Sequence, residues 1–290
     1  MLEIKGLRKQ FGSKVALDGV SLTVEPGRMF GFVGANGAGK TTTMRIAMGV
    51  MEADAGEVRW QGEELSPGTR FGFGYMPEER GLYPKMKIAG QVAYFGELNG
   101  LTAAAAKRSA AEWLERLGLA DRGGDYVQDL SLGNQQRVQL AVSLVHDPKM
   151  LILDEPFSGL DPIAVDTMAE VLVERSRAGV PVIFSSHQLD LVERLCDTVG
   201  IISAGNMVAT GTVDELRSRG KRRLRVVVEG ADPGWTDALA VPVESEDNGV
   251  WLIDSQDDQR VLSAAMAAGR VVRFGFDEPS LVDIFREATA

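Results

Sequence analysis

The 290-residue sequence predicts an α/β protein, in which a largely parallel sheet is covered by helices and followed by a smaller α+β domain. Two apolar runs that end in polar residues, "MLILDEP" and "VPVIFSSH", have the pattern of buried parallel strands. The segment between them, "AVDTMAEVLVERSRAG", predicts a crossover helix that stops at a glycine. This β-α-β alternation favours a parallel sheet with helices on its faces.

The segments before these strands predict the rest of the first domain. Short strand patterns, "LEIK" and "VSLTVEPG", lie within residues 1–30 and are separated by glycine and proline. "MFGFVGA" predicts a strand that leads through a glycine turn into the helix "NGAGKTTTMRIAMGV". Further along, "TAAAAKRSAAEWLERLGL" predicts a helix, in a stretch rich in alanine and leucine.

The pattern changes near residue 216, where we place a second domain over residues 216–290. The run "RSRGKRRLR" begins it, and we interpret this run as a solvated linker face in preference to a nucleic-acid or lipid patch. Beyond it, "LRVVVE", "VPVES", "VWLIDS" and "VVRFGF" predict four strands, with a hairpin turn at "EDNG". Helices near "QRVLSAAMAAG" and "SLVDIFREA", and a short one in "GWTDAL", would give a β-α-β-β-α-β order.

Composition limits the function classes. The 31 basic and 41 acidic residues give a net charge of −10, which argues against nucleic-acid binding by bulk attraction. A single cysteine, Cys196, excludes an intrachain disulfide and fits a reducing compartment. No apolar run approaches the ~20 residues of a membrane helix, and the N-terminus lacks an apolar signal core, so we expect a cytoplasmic protein.

The stretch "GANGAGKT", residues 34–41, matches the phosphate-binding pattern G-x-x-x-x-G-K-[ST] between a predicted strand and a predicted helix. Gly34, Gly37 and Gly39 would let the backbone curl so that its N–H groups face phosphate oxygens. Lys40 would place a cation on the β- and γ-phosphates, and Thr41 would offer its hydroxyl to Mg²⁺. A glycine-rich turn that matches by accident is the alternative, and residue frequencies make it rare.

Acidic residues follow the strand "LILDEP". Asp154 stands where a carboxylate beside a P-loop holds Mg²⁺, and Glu155 is suited to polarise the water that attacks the γ-phosphate. A solvated acidic pair at a strand end is the alternative. His187 in "SSHQ" ends a strand that we expect next to that of Asp154, so it could bind the γ-phosphate or the water; an ordinary structural histidine is the other interpretation.

A second phosphate-binding feature is predicted at "LSLGNQQRVQLA". A helix is indicated from Gln135 onward, and small polar residues (Ser131, Gly133, Asn134) precede it and leave backbone N–H groups free. Such a helix start can bind an anion. An ordinary capped helix is the alternative interpretation. It accounts for Ser131 as the cap but not for the otherwise vacant start of the helix.

These segments, in this order, resemble the nucleotide-binding subunits of ABC transporters. The resemblance covers roughly residues 1–215, and it implies a P-loop ATPase core with an antiparallel β part at the N-terminus and a helical subdomain at about residues 85–145. It rests on the P-loop (residues 34–42), the signature "LSLGN" in place of LSGGQ, the Walker B strand "LILDEP", the D-loop "SGLD" (residues 158–161) and the switch histidine. In "GYMPEERGLYP", Glu78 stands where the family generally has glutamine.

The resemblance implies ATP and Mg²⁺ as ligands, and it assigns the site residues as follows. The nucleotide-binding residues would be Phe11 (against adenine), Gly34, Asn36, Gly37, Ala38, Gly39, Lys40, Thr41, Thr42, Ser131, Gly133 and Asp161. Mg²⁺ would be held by Thr41, Glu78 and Asp154, and the residues acting in hydrolysis would be Glu155, His187 and Glu78.

The resemblance also implies partners. Two such domains would pair head to tail, so that the signature of one chain binds the γ-phosphate of the ATP held by the other. We expect a homodimer more than a heterodimer with a related ATPase. The stretch "YMPEERGLYPKM" and the tail "PSLVDIFREATA" are similar to the ATPase subunits of ABC-2-type exporters, in the sodium-efflux and drug-export group. This similarity implies a separate membrane-spanning permease, contacted through residues 82–100, and a location on the inner face of the cell membrane.

Two other interpretations stay open. A soluble ABC ATPase that acts on ribosomes or DNA is disfavoured by the single ATPase domain, the absence of a long coiled coil in the core, and the lone cysteine. An ABC importer ATPase is also compatible with a C-terminal domain, although the segment around Glu78 and the tail favour export. The cargo is not encoded in this chain.

Overall fold

The computed structural model describes residues 1–79, 81–219, 223–246, 249–255, 257–277 and 279–289. The chain divides into two compact units, Met1–Val213 and Asp214–Ala288.

The first unit is an α/β unit. Its strands are β1 (Leu2–Phe11), β2 (Lys14–Val24), β3 (Met29–Val33), β4 (Ala55–Trp60), β5 (Glu63–Glu64), β6 (Phe73–Met76), β7 (Met150–Leu153), β8 (Val182–Ser186), β9 (Thr198–Ser203) and β10 (Asn206–Thr212). Its helices are α1 (Lys40–Ala47), α2 (Pro67–Arg70), α3 (Ile88–Leu98), α4 (Ala103–Arg116), α5 (Leu132–Leu144), α6 (Pro162–Arg177) and α7 (Leu189–Leu195), with 3₁₀ turns at Ala120–Arg122 and Val127–Asp129.

The larger sheet of this unit has the strand order β10-β9-β3-β8-β7-β6 in the described residues. All of its neighbouring strands run parallel except β10, which pairs antiparallel with β9. The strands β3, β7 and β8 are buried along their whole length, as expected for parallel strands covered on both faces. Their carboxyl ends meet at one edge of the sheet, and this edge carries the predicted site.

A smaller antiparallel sheet, with the order β2-β1-β4-β5, comes from the N-terminal part of the unit. Its inner face and the larger sheet share one apolar core, in which Leu2 and Val20 lie with Phe32 and Ile183. The predicted α/β fold with an antiparallel N-terminal part is therefore confirmed.

The helices α3, α4 and α5 lie between β6 and β7 in the chain and pack on one another. Thr102 caps α4 by accepting the Ala105 N–H at 3.3 Å. Ser109 of α4 donates to the carbonyl of Val145, at the C-terminal end of α5, at 2.6 Å. None of the described helices has the length and apolar character needed to cross a membrane.

The second unit is a small α+β unit. After α8 (Val213–Arg219) come β11 (Arg223–Glu229), a 3₁₀ helix (Pro233–Leu239), β12 (Val243–Glu246), β13 (Val250–Ile253), α9 (Asp258–Ala268), β14 (Arg270–Asp277) and α10 (Leu281–Thr289). The strands form an antiparallel sheet in the order β12-β13-β11-β14, and "GWTDAL" is a 3₁₀ helix and not an α-helix. Part of the predicted "EDNG" turn (247–248) and part of the basic run (220–222) lie outside the described residues.

The core of the second unit lies on one face of this sheet. Trp235 and Trp251 meet edge to face there, with ring centroids 5.5 Å apart. Val226 and Ile253, which are fully buried, pack in the same cluster with Val261 of α9. The alternating burial along β11 is the period-two pattern from which its strand is predicted.

Candidate functional site

A cavity of about 340 Å³ lies at the carboxyl edge of the larger sheet. It is lined by Phe11, Lys14, Ala16, Asn36, Gly37, Gly39, Lys40, Thr41, Thr42, Glu78 and Glu155. Residues of four predicted motifs thus meet in one place: the P-loop, the aromatic position, the glutamate that replaces the usual glutamine, and the acid after β7.

The P-loop connects β3 to α1 through a turn that requires glycine. Gly37 and Gly39 have φ values of +79° and +117°, which L side chains rarely adopt. A Cβ atom on Gly39 would lie 2.8 Å from the backbone oxygen of Ala16. Gly39 is also the N-cap of α1 and supplies no side-chain cap, so the first N–H groups of the helix are available to an anion in the cavity.

Lys40 is held inside the P-loop. Its side chain is nearly buried, and its Nζ donates to the carbonyls of Gly34 at 2.6 Å and of Ala35 at 3.3 Å. The same Nζ lies 3.9 Å from Glu155 Oε1. A buried ammonium needs such partners, and a phosphate that enters the cavity would add a stronger one.

Ser185 joins the two acids that follow β7. The strands β7 and β8 pair with Leu153 opposite Phe184, which brings Ser185 next to Asp154. The Ser185 hydroxyl donates to Asp154 Oδ1 at 2.6 Å and accepts the N–H of Glu155 at 2.8 Å. Asp154 is fully buried, and its Oδ2 accepts no hydrogen bond from any described residue.

The negative charge of Asp154 also affects Tyr75. The pKa of the Tyr75 phenol is raised, chiefly by burial and then by the charge of Asp154, while Arg45 opposes the shift. A buried carboxylate oxygen without a donor is costly unless a cation completes it. Asp154 Oδ2 therefore fits a metal ligand. Thr41 and Glu78, the other predicted Mg²⁺ ligands, line the cavity, whereas the buried Asp154 is not among its lining residues.

Glu155 occupies a strained and well-determined position. Its φ is +50°, the left-handed region, which is uncommon for a residue other than glycine and clusters at functional sites. Its Oε2 lies 2.9 Å from His187 Nδ1, a hydrogen bond in which the imidazole N–H donates to the carboxylate. The Glu155 side chain is 10% exposed and that of His187 is 55% exposed, so the histidine is the more accessible partner of this pair.

Several predicted residues do not line the cavity, among them Asp154 and His187, which reach it through their hydrogen bonds to Ser185 and to Glu155. The N–H of Ala38 donates within the turn to the carbonyl of Ala35 at 3.1 Å, and Gly34 contributes its carbonyl to Lys40. Asp161 is the N-cap of α6 and accepts the N–H of Ala164 at 2.9 Å. Ser131 and Gly133 lie at the start of α5, apart from the residues that line the cavity.

The start of α5 differs from its sequence-based description. The helix begins at Leu132, three residues earlier than predicted, because Ser131 caps it and accepts the N–H of Asn134 at 3.4 Å. The prediction that the backbone N–H groups are free at this helix start was therefore wrong for the N–H of Asn134. The side chain of Asn134 is also engaged, because its Oδ1 accepts a hydrogen bond from Arg137. Ser131 and Leu132 are exposed, so the helix start is open to another molecule.

Sequence reasoning missed residues that the structure brings to the site. Lys14 and Ala16 of β2 line the cavity beside Phe11, and Ser185 bridges the acids. Ser185 stands in the same "SSHQ" stretch as the histidine, so its position at a strand end was the available signal.

Together, the P-loop, the buried lysine and the paired acids define the class of P-loop nucleotide-binding proteins. The family model "ABC transporter" matches residues 17–158, and the model "ATP-binding protein DrrA1-3-like, C-terminal domain" matches residues 211–289. The chain belongs to the ABC transporter ATP-binding proteins, and as a member of that family it is an ATPase.

Individual relatives agree with this assignment. An uncharacterised ABC transporter ATP-binding protein of Bacillus subtilis, YhaQ, is 38% identical, covering 99% of this chain and 98% of its own length. The linearmycin resistance ATP-binding protein LnrL of Bacillus subtilis is 34% identical, covering 82% of this chain and 78% of its own length. A Nod factor export ATP-binding protein I of Paraburkholderia xenovorans is 32% identical, with 99% and 96% covered.

A solved structure also resembles this chain. The structure of an ATP-binding subunit of an ABC transporter matches with a TM-score of 0.70 and 32% identity, covering 76% of this chain and 92% of that one. The predicted family resemblance is confirmed.

Proposed function

We propose that this chain is the motor subunit of an ABC exporter, which hydrolyses ATP in a head-to-tail dimer and drives a separate ABC-2-type permease. The observation that carries the hydrolytic part is the placement of Glu155. Its carboxylate is held by His187 at 2.9 Å, lies 3.9 Å from the lysine of the P-loop, and lines the same cavity.

ATP would bind with its phosphates against the N-terminus of α1. The N–H groups of Lys40, Thr41 and Thr42 are in the first turn of this helix, and the ammonium of Lys40 supplies the compensating charge. Phe11, which is 47% exposed at the rim of the cavity, offers its ring to the adenine. Lys9 lies over the same ring at 5.7 Å and holds one face of it.

Mg²⁺ would neutralise the phosphate oxygens when it is bound. Thr41, Asp154 and Glu78 are the residues that would hold it, and Asp154 offers the buried oxygen that lacks a donor. Ser185 fixes the other oxygen of Asp154 and so orients the carboxylate. In the part of the chain that the structure describes, no group of three or more His, Cys, Asp or Glu forms a metal cage, which fits an ion held mostly by the nucleotide.

In hydrolysis, Glu155 would accept a proton from the attacking water. The water oxygen bonds to the γ-phosphorus as the bond to the β–γ bridging oxygen breaks, which leaves ADP and inorganic phosphate. His187 keeps the carboxylate oriented through Nδ1, and the nearby Lys40 stabilises the charge that develops on the transferred group.

The second half of each site would come from a partner chain. Ser131 and Gly133 lie at a helix start where Ser131 and Leu132 are exposed, and neither Ser131 nor Gly133 lines the P-loop cavity. An anion-binding helix start of this kind suits the γ-phosphate of the partner's ATP. Asp161, the exposed cap of α6, would contribute from the D-loop of the same chain.

The contact with the permease is proposed for residues 82–100. Tyr83, Tyr94 and Phe95 form an aromatic cluster with ring centroids 5.8–6.3 Å apart, and Tyr83 and Tyr94 are 49% and 41% exposed. Gln91 holds the backbone of Tyr83 through two hydrogen bonds of 3.0 and 3.1 Å. Exposed aromatic clusters are typical of protein interfaces.

The direction of transport is proposed from the relatives. Because relatives are named for export and for resistance, we propose that the chain drives export and acts at the inner face of the cell membrane.

The first experiment uses Glu155→Gln, which keeps the size of the side chain and removes the base. We expect the turnover of ATP to fall about 10²–10⁴-fold, the usual contribution of a general base, while ATP still binds. The variant should accumulate as a dimer with Mg-ATP in size-exclusion chromatography. An unchanged turnover would show that Glu155 is not the base.

The same variant tests the exporter assignment. A tagged Glu155→Gln chain is expressed in its native host, membranes are solubilised with Mg-ATP, and captured proteins are identified by mass spectrometry. We expect a polytopic membrane protein, and its amount should fall in a parallel sample without ATP. Capture of ribosomal or DNA-bound proteins without a permease would contradict the exporter assignment and leave the ATPase intact.

A further inference from the structure

The helix α5 carries two buried glutamines on one face, Gln136 and Gln139, each 3% exposed. The Nε2 group of Gln136 donates to the carbonyl of Glu155 at 3.1 Å and to that of Pro156 at 3.0 Å. The Nε2 group of Gln139, one helical turn further, donates to the carbonyl of Pro77 at 2.6 Å. Both glutamines therefore bind loop backbone outside their own helix.

The carbonyls that they bind belong to the loops of the two acids in the nucleotide cavity. Glu155 is itself the residue in the left-handed conformation, and Pro77 directly precedes Glu78. A strained residue persists only where its surroundings determine it fully. The N–H of Glu155 is fixed by Ser185 and its carbonyl by Gln136, so both ends of this peptide segment are held by side chains from separate elements.

We infer that Gln136 and Gln139 are positioning residues, through which α5 sets the orientation of Glu155 and Glu78. The inference rests on the proposed function, in which the start of α5 at Ser131 binds the ATP of the partner chain. One helix then contacts the partner's nucleotide at its N-terminal end and, through Gln136 and Gln139, holds the loop backbone next to both acids of its own site. Binding of the partner's ATP at Ser131 is thereby transmitted to Glu155 and Glu78, which act on the chain's own ATP.

The ordinary alternative is that both amides only satisfy buried carbonyls in the core. A purely structural role would lower the stability of the fold without a selective loss of turnover. A positioning role predicts a loss in kcat that exceeds any change in KM, because the ground-state contacts to ATP come from the P-loop.

The first test is Gln136→Met in the full chain, which keeps the length of the side chain and removes the donor. We expect kcat for ATP to fall about tenfold, equivalent to about 1.4 kcal/mol, with KM changed less than about twofold. The matched control is Ser109→Ala, which removes a tether at the far end of α5 and should leave kcat unchanged. Equal losses in both variants would overturn the inference.

A double-mutant cycle makes the test specific. If Gln136 acts through Glu155, the variant that carries both Gln136→Met and Glu155→Gln should be no slower than Glu155→Gln alone. An additive loss would overturn the inference and leave the role of Glu155 intact. If Glu155→Gln alone keeps the normal turnover, the proposed role of Glu155 fails, and the inference fails with it.

Gln139→Met provides an independent variant should the first not fold. The carbonyl that Gln139 binds belongs to Pro77, in the loop that leads to Glu78. We therefore expect the Mg²⁺ concentration for half-maximal activity to rise about threefold or more, while the affinity for ATP without metal stays unchanged. An unchanged Mg²⁺ requirement in a folded Gln139→Met protein would overturn this part of the inference.

Discussion

Two regions of the molecule are proposed to bind a nucleotide phosphate, and they are built in opposite ways. The P-loop region is complete within the chain: Lys40 is buried and donates to two carbonyls, and the cavity brings together residues from β1, β2, α1 and the loops after β6 and β7. The signature region is a helix start at which Ser131 and Leu132 are exposed and Ser131 caps the N–H of Asn134.

This difference assigns the two regions to different steps, the P-loop region to the binding of ATP and the signature region to the assembly of the dimer. A preorganised cavity can take up ATP without a partner, because its donors are already in place. An exposed helix start offers too little contact to bind a nucleotide alone, but it can add to an ATP that another chain already holds. Substitutions in the two regions should therefore have different effects, and each experiment below either separates the two regions or shows that they act together.

The largest effect is expected for Lys40→Ala. The substitution removes the buried cation of the cavity, so ATP affinity should fall about a hundredfold or more, as for the loss of a charged hydrogen-bond partner of a phosphate. Isothermal titration with ATP under non-hydrolysing conditions measures it. Lys107→Ala, which alters an exposed lysine of α4, is the control and should bind normally. Normal binding by Lys40→Ala would show that the cavity is not the nucleotide site.

The next effect is expected for Ser131→Asp, placed in the Glu155→Gln background. Aspartate remains a good helix cap, so the stability of the protein should be unchanged. Its negative charge, however, would oppose the γ-phosphate of the partner's ATP, and such like-charge contacts cost several kcal/mol, enough to weaken the dimer about a hundredfold.

The readout for Ser131→Asp separates the two regions. ATP affinity of the single chain should stay as in the parent, while the dimer with Mg-ATP should disappear in analytical ultracentrifugation. Ser131→Asn, which caps the helix without the charge, is the matched control and should retain more of the dimer with Mg-ATP. A full dimer with Ser131→Asp would show that the signature region does not contact ATP.

The same contrast explains what the sequence could predict. The strand, glycine turn and helix around residues 29–47 were predictable because the P-loop is local: one contiguous stretch supplies the turn, the lysine and the threonine. The strands of the second unit were predictable from the alternation of apolar residues, and their order along the chain matches the prediction, although the helix between the first two strands is a 3₁₀ helix and not an α-helix. In both cases the relevant interactions lie close together in the chain.

Interactions that depend on the packing of distant segments were not predictable. The bridge by Ser185 joins residues 30 and 31 positions apart and exists only because of the register between β7 and β8. The contacts of Gln136 with Glu155 and of Gln139 with Pro77 span 19 and 62 positions and depend on how α5 packs. In the sequence, these glutamines have no feature that distinguishes them from surface residues, because their burial is set by neighbours elsewhere in the chain.

The smallest effect is expected for Ser185→Ala, which tests how rigid the complete site must be. The substitution leaves the buried N–H of Glu155 without its acceptor and frees one oxygen of Asp154. Leaving such a group unsatisfied costs about 1–3 kcal/mol, and because the cost falls on the orientation of both acids, we expect kcat to fall about tenfold with little change in ATP affinity.

Ser186→Ala is the matched control for this experiment. Ser186 is also buried on the same strand, but the hydrogen bond of its hydroxyl is with the N–H of Gln188, which it accepts, and not with Asp154 or Glu155. Steady-state turnover and ATP titration of both variants give the comparison. If Ser185→Ala lowers affinity as strongly as turnover, the serine maintains the shape of the cavity. If it lowers turnover alone, the binding half of the site tolerates the loss and only the placement of the acids requires the bridge.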